Sequence, residues 1–251
     1  MPVRSPMWSK KALLIIAIFC SAIISRTHAT NATFHTANLD YIPAYEKYIF
    51  EGRGSTVKEM PVVIEYETAQ TGNGKSKWLI SGKMKFRETL IEEHYQINHR
   101  NLKITSFTRK QSFDRGEVNS TSTYEVDVST NDPEEFIVGT IQGLMYILRT
   151  FPFESENKKV LVRAPQQQKG HLNLRIHNKG KKTISTRYFG AVEVHHLEVS
   201  LVFPLIGGIL PKLNYYFRDD PQKTLVAMEG LLPATGKRLD VELTEYEMRR
   251  D

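Results

Sequence analysis

Apolar and polar residues alternate with a period of two through most of the chain. This predicts antiparallel strands with one buried and one wetted face. The clearest case is KWLISGKMKFR. Trp78, Ile80, Met84 and Phe86 fall on one side with Gly82 among them, and Lys77, Ser81, Lys83, Lys85 and Arg87 fall on the other. The alternation recurs at Val62, Ile64 and Tyr66, at Tyr95 and Ile97, at Leu102 and Ile104, and at Tyr124, Val126 and Val128. It returns at Leu172, Leu174 and Ile176 and closes at Leu239, Val241 and Leu243. Turn-forming residues separate the runs: Thr71-Gly72-Asn73-Gly74, Asp114-Arg115-Gly116, Asn178-Lys179-Gly180, Phe189-Gly190, Asp220-Pro221 and Thr235-Gly236. The spacing predicts roughly ten to twelve strands, more than a small sandwich needs.

One stretch has the helical period instead. Asn131-Asp132 supplies a cap, Pro133 suits a first turn, and Glu134-Glu135 complement the helix dipole. Ile137, Ile141, Leu144, Met145 and Leu148 then recur at helical spacing, which predicts a helix over about 132–149. The expected fold class is mainly β: a large curved antiparallel sheet or open half-barrel packed around that one helix.

The beginning of the chain belongs to export rather than to this pattern. Arg4, Lys10 and Lys11 precede the apolar run ALLIIAIFC, and Thr27-His28-Ala29 offers small residues for cleavage. The order basic, apolar, small predicts a secretory signal over 1–29. The apolar core is shorter than the ~20 residues of a spanning helix, with an uncleaved anchor as the alternative. Cys20 does not read as a lipidation site, because Phe19 stands where a small residue belongs. Residues 30–43 lack periodicity and read as an irregular lead-in, and 44–251 as a single β-rich domain.

Removing the leader changes two inferences. The formal charge is +6, and Arg4, Lys10, Lys11 and Arg26 supply four of it, so the remainder is near +2. That argues against nucleic acid as a partner. Cys20 is the sole cysteine, so the exported chain relies on its core rather than on disulfides. This suits a bacterial periplasm. Asn31-Ala32-Thr33 and Asn119-Ser120-Thr121 match the glycosylation pattern by chance.

No catalytic motif stands. Ala69 to Ser76 matches a relaxed phosphate-binding loop with Lys75, but it leads into a strand, whereas such a loop must open a helix. Ser155 and Lys158 have acyl-enzyme spacing without the companion motifs. His195 and His196 are adjacent in a strand and point to opposite faces. His171 and His177 share a face but lie ~20 Å apart along a strand. No metal site, cofactor or enzyme activity is therefore expected. His196 and Glu198 read as a surface pair, and Glu92-Glu93 and Asp219-Asp220 as solvated turn or edge residues. The basic positions Lys83, Lys85 and Arg87 read as a solvated face, with contact to a membrane surface left open.

One stretch points toward a ligand. LVFPLIGGILPKLNYYF, Leu201 to Phe217, sets an apolar lobe between Pro204 and Pro211, followed by the alternating Leu213, Tyr215 and Phe217. A connection of this kind is ordinarily polar, so an apolar one must be covered. Candidate covers are the protein's own helix, an envelope partner, a membrane, or a greasy ligand. We expect Leu205, Ile206, Ile209 and Leu210 to form a lip, Tyr215 and Phe217 a wall, and Trp78 and Phe86 a floor.

The C-terminal half, through KKTISTRYFGAVEVHHLEV, LNYYFRDDPQKTLVAMEG and the closing LDVELTEYE, resembles a family of uncharacterised Gram-negative envelope proteins. More distantly, many consecutive strands with one inserted helix is similar to the open half-barrel lipoprotein carriers of the LolA and LolB kind. The resemblance implies an apolar concave face and no catalytic residues. The expected function is non-enzymatic binding of a hydrophobic envelope molecule, such as an acyl chain or lipid. The alternative is a structural or interaction protein with a filled core.

Overall fold

In the computed structural model the described residues are 42–53, 62–71, 77–86, 89–98, 104–113, 120–125, 135–137, 141–154, 157–163, 172–201, 212–231 and 238–249. They form one sheet of 13 strands and one helix. The strands are β1 Tyr45–Gly52, β2 Val62–Thr71, β3 Lys77–Phe86, β4 Thr89–Asn98, β5 Ile104–Phe113, β6 Ser120–Glu125 and β7 Glu135–Ile137. After the helix α1 Ile141–Arg149 come β8 Asn157–Arg163, β9 Leu172–Thr186, β10 Gly190–Leu201, β11 Lys212–Arg218, β12 Leu225–Leu231 and β13 Arg238–Arg249. Their order across the sheet is β6-β5-β4-β3-β2-β1-β13-β12-β11-β10-β9-β8-β7.

Alternation sets which side of each strand is buried. On β2, Val62, Ile64, Tyr66 and Thr68 are buried, and on β3 Trp78, Ile80 and Met84 are buried, while Val63, Leu79, Lys83 and Lys85 are exposed. The inner residues of neighbouring strands pair directly, as Tyr48 with Tyr66, Ile64 with Met84 and Ile80 with Tyr95. The ten strands from β9 to β5 would span about 43 Å if flat. The one helix among the described residues, nine residues long, spans only about 13 Å. Yet Ile176 on β9 and Phe107 on β5 are both fully buried. The sheet therefore curls onto its own inner face. Its edge strands β6 and β7 do not pair with each other, so it stays open.

The helix is shorter than its sequence pattern. Glu135–Ile137 forms β7, parallel to β8, instead of the first helical turn predicted from Pro133 onward. Phe136 and Ile137 favour an extended chain, and the edge of β8 offers β7 hydrogen bonds. Parallel neighbours require a crossover, and α1 is that crossover. Leu144 to Thr150 are all buried, so α1 is enclosed on every side from Leu144 onward.

Asn178-Lys179-Gly180 is a bulge within β9 rather than a turn between strands. Pairing with β10 slips there, from Leu197↔Asn178 to His195↔Lys181. Gly180 takes φ +83°, and its N–H donates to Asn178 Oδ1 at 2.9 Å. Beyond this bulge the β9–β10 hairpin leaves β11 and folds over the outer face as an arm. Ile184, Phe189 and Val192 of the arm pack on a second apolar cluster of Val194, Tyr216, Val226 and Ala227. At its tip Arg187 pairs with Glu242 of β13 (2.9 Å) and Glu51 of β1 (3.3 Å). Tyr188 donates to the carbonyl of Tyr246 at 3.2 Å.

Candidate functional site

The inner face is the candidate site, and its residues come from strands that are distant in sequence. Trp78 of β3 lies 6.2 Å, ring to ring, from Tyr146 of α1. Tyr215 and Phe217 of β11 stack at 6.4 Å, and Phe217 meets Phe153, which follows α1, at 6.1 Å. Trp78, Tyr215 and Phe217 are each fully buried and belong to one core. The wall pair Tyr215 and Phe217 is thus adjacent, while α1 and the residues after it stand between them and Trp78. Phe86 closes β3, paired with Val62 and Thr89. Leu205, Ile206, Ile209 and Leu210 lie outside the described residues, in the connection from β10 to β11.

Beneath α1 the face is polar. Arg149 and Glu46 form a buried ion pair, and Arg149 also donates to the carbonyl of Gln222 at 2.6 and 3.0 Å. Tyr48 donates to Glu46 Oε2 at 2.9 Å, and Thr68 hydrogen-bonds Tyr146. Burial opposes the guanidinium charge of Arg149, but Glu46 outweighs it and holds the pKa above its ordinary value. Burial pushes the Tyr48 and Tyr146 hydroxyls up, so both remain neutral donors. Sequence reasoning missed Glu46. Its signal was parity, because it shares the side of β1 that carries Tyr48 and Phe50.

A second polar group sits where β11 ends beside the middle of β10. His195 hydrogen-bonds Asp219 at 2.8 Å, Lys223 reaches both Asp219 (3.0 Å) and the His195 ring (3.2 Å), and Lys181 pairs with Asp219. Phe153 lies against the imidazole at 4.4 Å. Hydrogen bonds from Lys181 and Lys223 hold the Asp219 carboxyl well below its ordinary value, and burial holds His195 below its own. Asp220 accepts from the N–H and hydroxyl of Thr224, ordering the turn. The two aspartates thus anchor side chains and backbone rather than forming a merely solvated turn.

Other sequence readings shift in the same way. His196 pairs with Asn214 at 2.8 Å, and Glu198 with Lys212 at 3.0 Å, rather than with each other. The two imidazoles do point to opposite faces. Glu93 is buried and accepts from Tyr95 at 2.7 Å, because it shares the inward parity of Tyr95 and Ile97. Thr71 and Lys77 are directly paired, so Ala69 to Ser76 joins two hairpin strands and opens no helix. Among the described residues no group of three or more His, Cys, Asp or Glu could hold a metal ion, and no helix is long and apolar enough to cross a membrane.

The fold resembles that of a β-barrel-like protein of domain of unknown function DUF1849 from Brucella abortus. The TM-score is 0.51 and the identity 7%, over 83% of this chain and 98% of that one. A candidate lipoprotein from Parabacteroides distasonis aligns at TM-score 0.33 and 11% identity, over 82% and 98% of the two chains. A candidate exported protein with a YmcC-like fold from Bacteroides fragilis aligns at 0.28 and 10%, over 86% and 99%. The first likeness supports the open, barrel-like β architecture and does not single out the lipoprotein-carrier half-barrels. No family model and no curated protein matches the chain.

Proposed function

We propose that this is an exported, non-enzymatic protein that binds an apolar molecule of the cell envelope, an acyl chain or lipid, on the inner face of its sheet. The observation that carries this reading is the lining of that face. Tyr66, Trp78, Tyr95, Phe107, Tyr215 and Phe217 are all buried on a curled sheet whose edges do not close. Open curved sheets of this size take ligands at their mouths. The apolar sequence around Ile206, in the connection from β10 to β11, is the lip expected from the sequence. The basic, apolar, small order of the leader supports export to the periplasm.

A second reading, a structural or interaction protein of the envelope, draws on α1. The helix and the Arg149–Glu46 pair occupy the inner face opposite β1 to β3. Native mass spectrometry of the full chain, exported and purified from a bacterial periplasm, separates the two. A co-purifying lipid mass supports binding, and a ligand-free protein that takes up no fluorescent acyl probe supports the second reading. Ile206→Asp sharpens the comparison. On a lip it lowers probe uptake with little change in melting temperature. As a core plug it buries an unpaired charge and lowers stability by several kcal/mol.

A further inference from the structure

Most polar side chains of the inner face have partners: Tyr48 with Glu46, Thr68 with Tyr146, Tyr95 with Glu93, Arg149 with Glu46 and Gln222. The Tyr215 hydroxyl does not. It is fully buried and has no hydrogen-bond partner among the described residues. Such a group is a standing cost that phenylalanine would avoid in the same space. Burial raises the phenol well above its ordinary pKa, so it stays a neutral donor. Its cross-strand neighbours are Leu197 of β10 and Met228 of β12, with Leu213 and Phe217 on its own strand. The nearby cations are committed elsewhere: Lys212 to Glu198, Lys181 and Lys223 to Asp219, Arg149 to Glu46.

We infer that the bound molecule presents an uncharged hydrogen-bond acceptor, an ester or amide carbonyl, to the Tyr215 hydroxyl while its acyl chain lies along the aromatic face. This rests on the binding reading above and names its chemistry. An alkane would leave the hydroxyl unpaired. A carboxylate would be buried among Leu197, Leu213 and Met228 with no cation to meet it.

The test is competition against a fluorescent acyl probe on the delipidated full-length exported protein, using methyl palmitate, palmitate and hexadecane. The ester should compete roughly tenfold better than the alkane, the scale of one neutral hydrogen bond. Tyr215→Phe should erase that preference and hold or raise the melting temperature. A second measurement needs no variant. The infrared carbonyl stretch of labelled methyl palmitate bound to the wild type should shift to lower frequency than in hexane. Three results would overturn the inference while leaving binding intact: an ester preference that survives Tyr215→Phe, a carbonyl band unshifted from hexane, or a wild-type preference for palmitate. If no chain displaces the probe, the binding reading falls and the inference falls with it.

Discussion

Glu46 and Arg149 lie 103 positions apart in the chain, and both side chains are almost wholly buried. Their pair fixes α1 against β1, and through Gln222 it also holds the turn before β12. Removing one partner leaves a buried charge unmatched. Arg149→Met or Glu46→Gln should therefore cost about 3–5 kcal/mol in denaturant unfolding. Replacing both with apolar residues should recover much of that loss. His195 gives a second expectation at this scale. Burial holds its pKa below the ordinary 6.5, against the opposing hydrogen bond to Asp219. His196, beside Asn214 and Tyr216, is lowered by burial as well. The folded protein thus binds fewer protons than the unfolded chain just below pH 6.5, and stability falls as pH drops through that region. Asp219 adds a further loss only below its ordinary 3.8, because its folded pKa is depressed too. Melting temperatures recorded from pH 7.5 down to about pH 5 should decline, and His195→Gln should flatten the decline in part. At the residue scale little of the site was legible. Trp78, Tyr215 and Phe217 were readable as apolar members of alternating strands. Glu46, Glu93 and His195 were not, because a polar residue on the buried parity becomes tolerable only through a partner far away in sequence.

Strands were legible because each carries its own record of which side faces in. The period of two in Val62–Tyr66 and Trp78–Ile80 survives folding, and on Leu239–Leu243 it is interrupted only where Glu242 is buried against Arg187 of the arm. The misread elements are those whose form depends on a neighbour. Glu135–Ile137 has an acidic, proline-led start that suits a helix, yet the free edge of β8 makes it a strand. Asn178-Lys179-Gly180 has turn residues, yet β10 continues past it and converts it to a bulge. Glycines separate these cases further. Gly180 has open space where a Cβ would stand, so Gly180→Ala should cost only the strain of its φ, about 1–2 kcal/mol. Gly230 on β12 faces Leu213, and a Cβ there would meet the Lys212 carbonyl oxygen at 2.0 Å and Leu213 Cα at 2.9 Å. Since the obstacle is backbone, Gly230→Ala should part β11 from β12. The expected result is a melting temperature far below that of Gly180→Ala, or no soluble protein.

Across the whole molecule, β13 lies between β1 and β12, so the sheet is joined at its centre by its sequence-distant strands. Thr244 reaches the carbonyl of Ile49 across 195 positions. Tyr45 pairs with Arg249 at the end of that seam, and the arm tip crosses it through Arg187 and Tyr188. Reading the sheet from β7 to β6 gives β7 to β13 and then β1 to β6, in unbroken order. Among the described residues the sheet is therefore a plain meander, with one helical crossover, cut open in the middle and renumbered. A short loop from Arg249 to Tyr45, with new ends opened between Glu125 and Glu135, would make chain order and sheet order coincide. Such a circular permutant should keep the native melting temperature and refold at least about tenfold faster, because every strand pairing becomes local. In the natural order the two half-sheets cannot be stitched together until the final strand has been delivered. A chain arranged in this way stays loose through most of its length and becomes a finished object only when its last strand arrives.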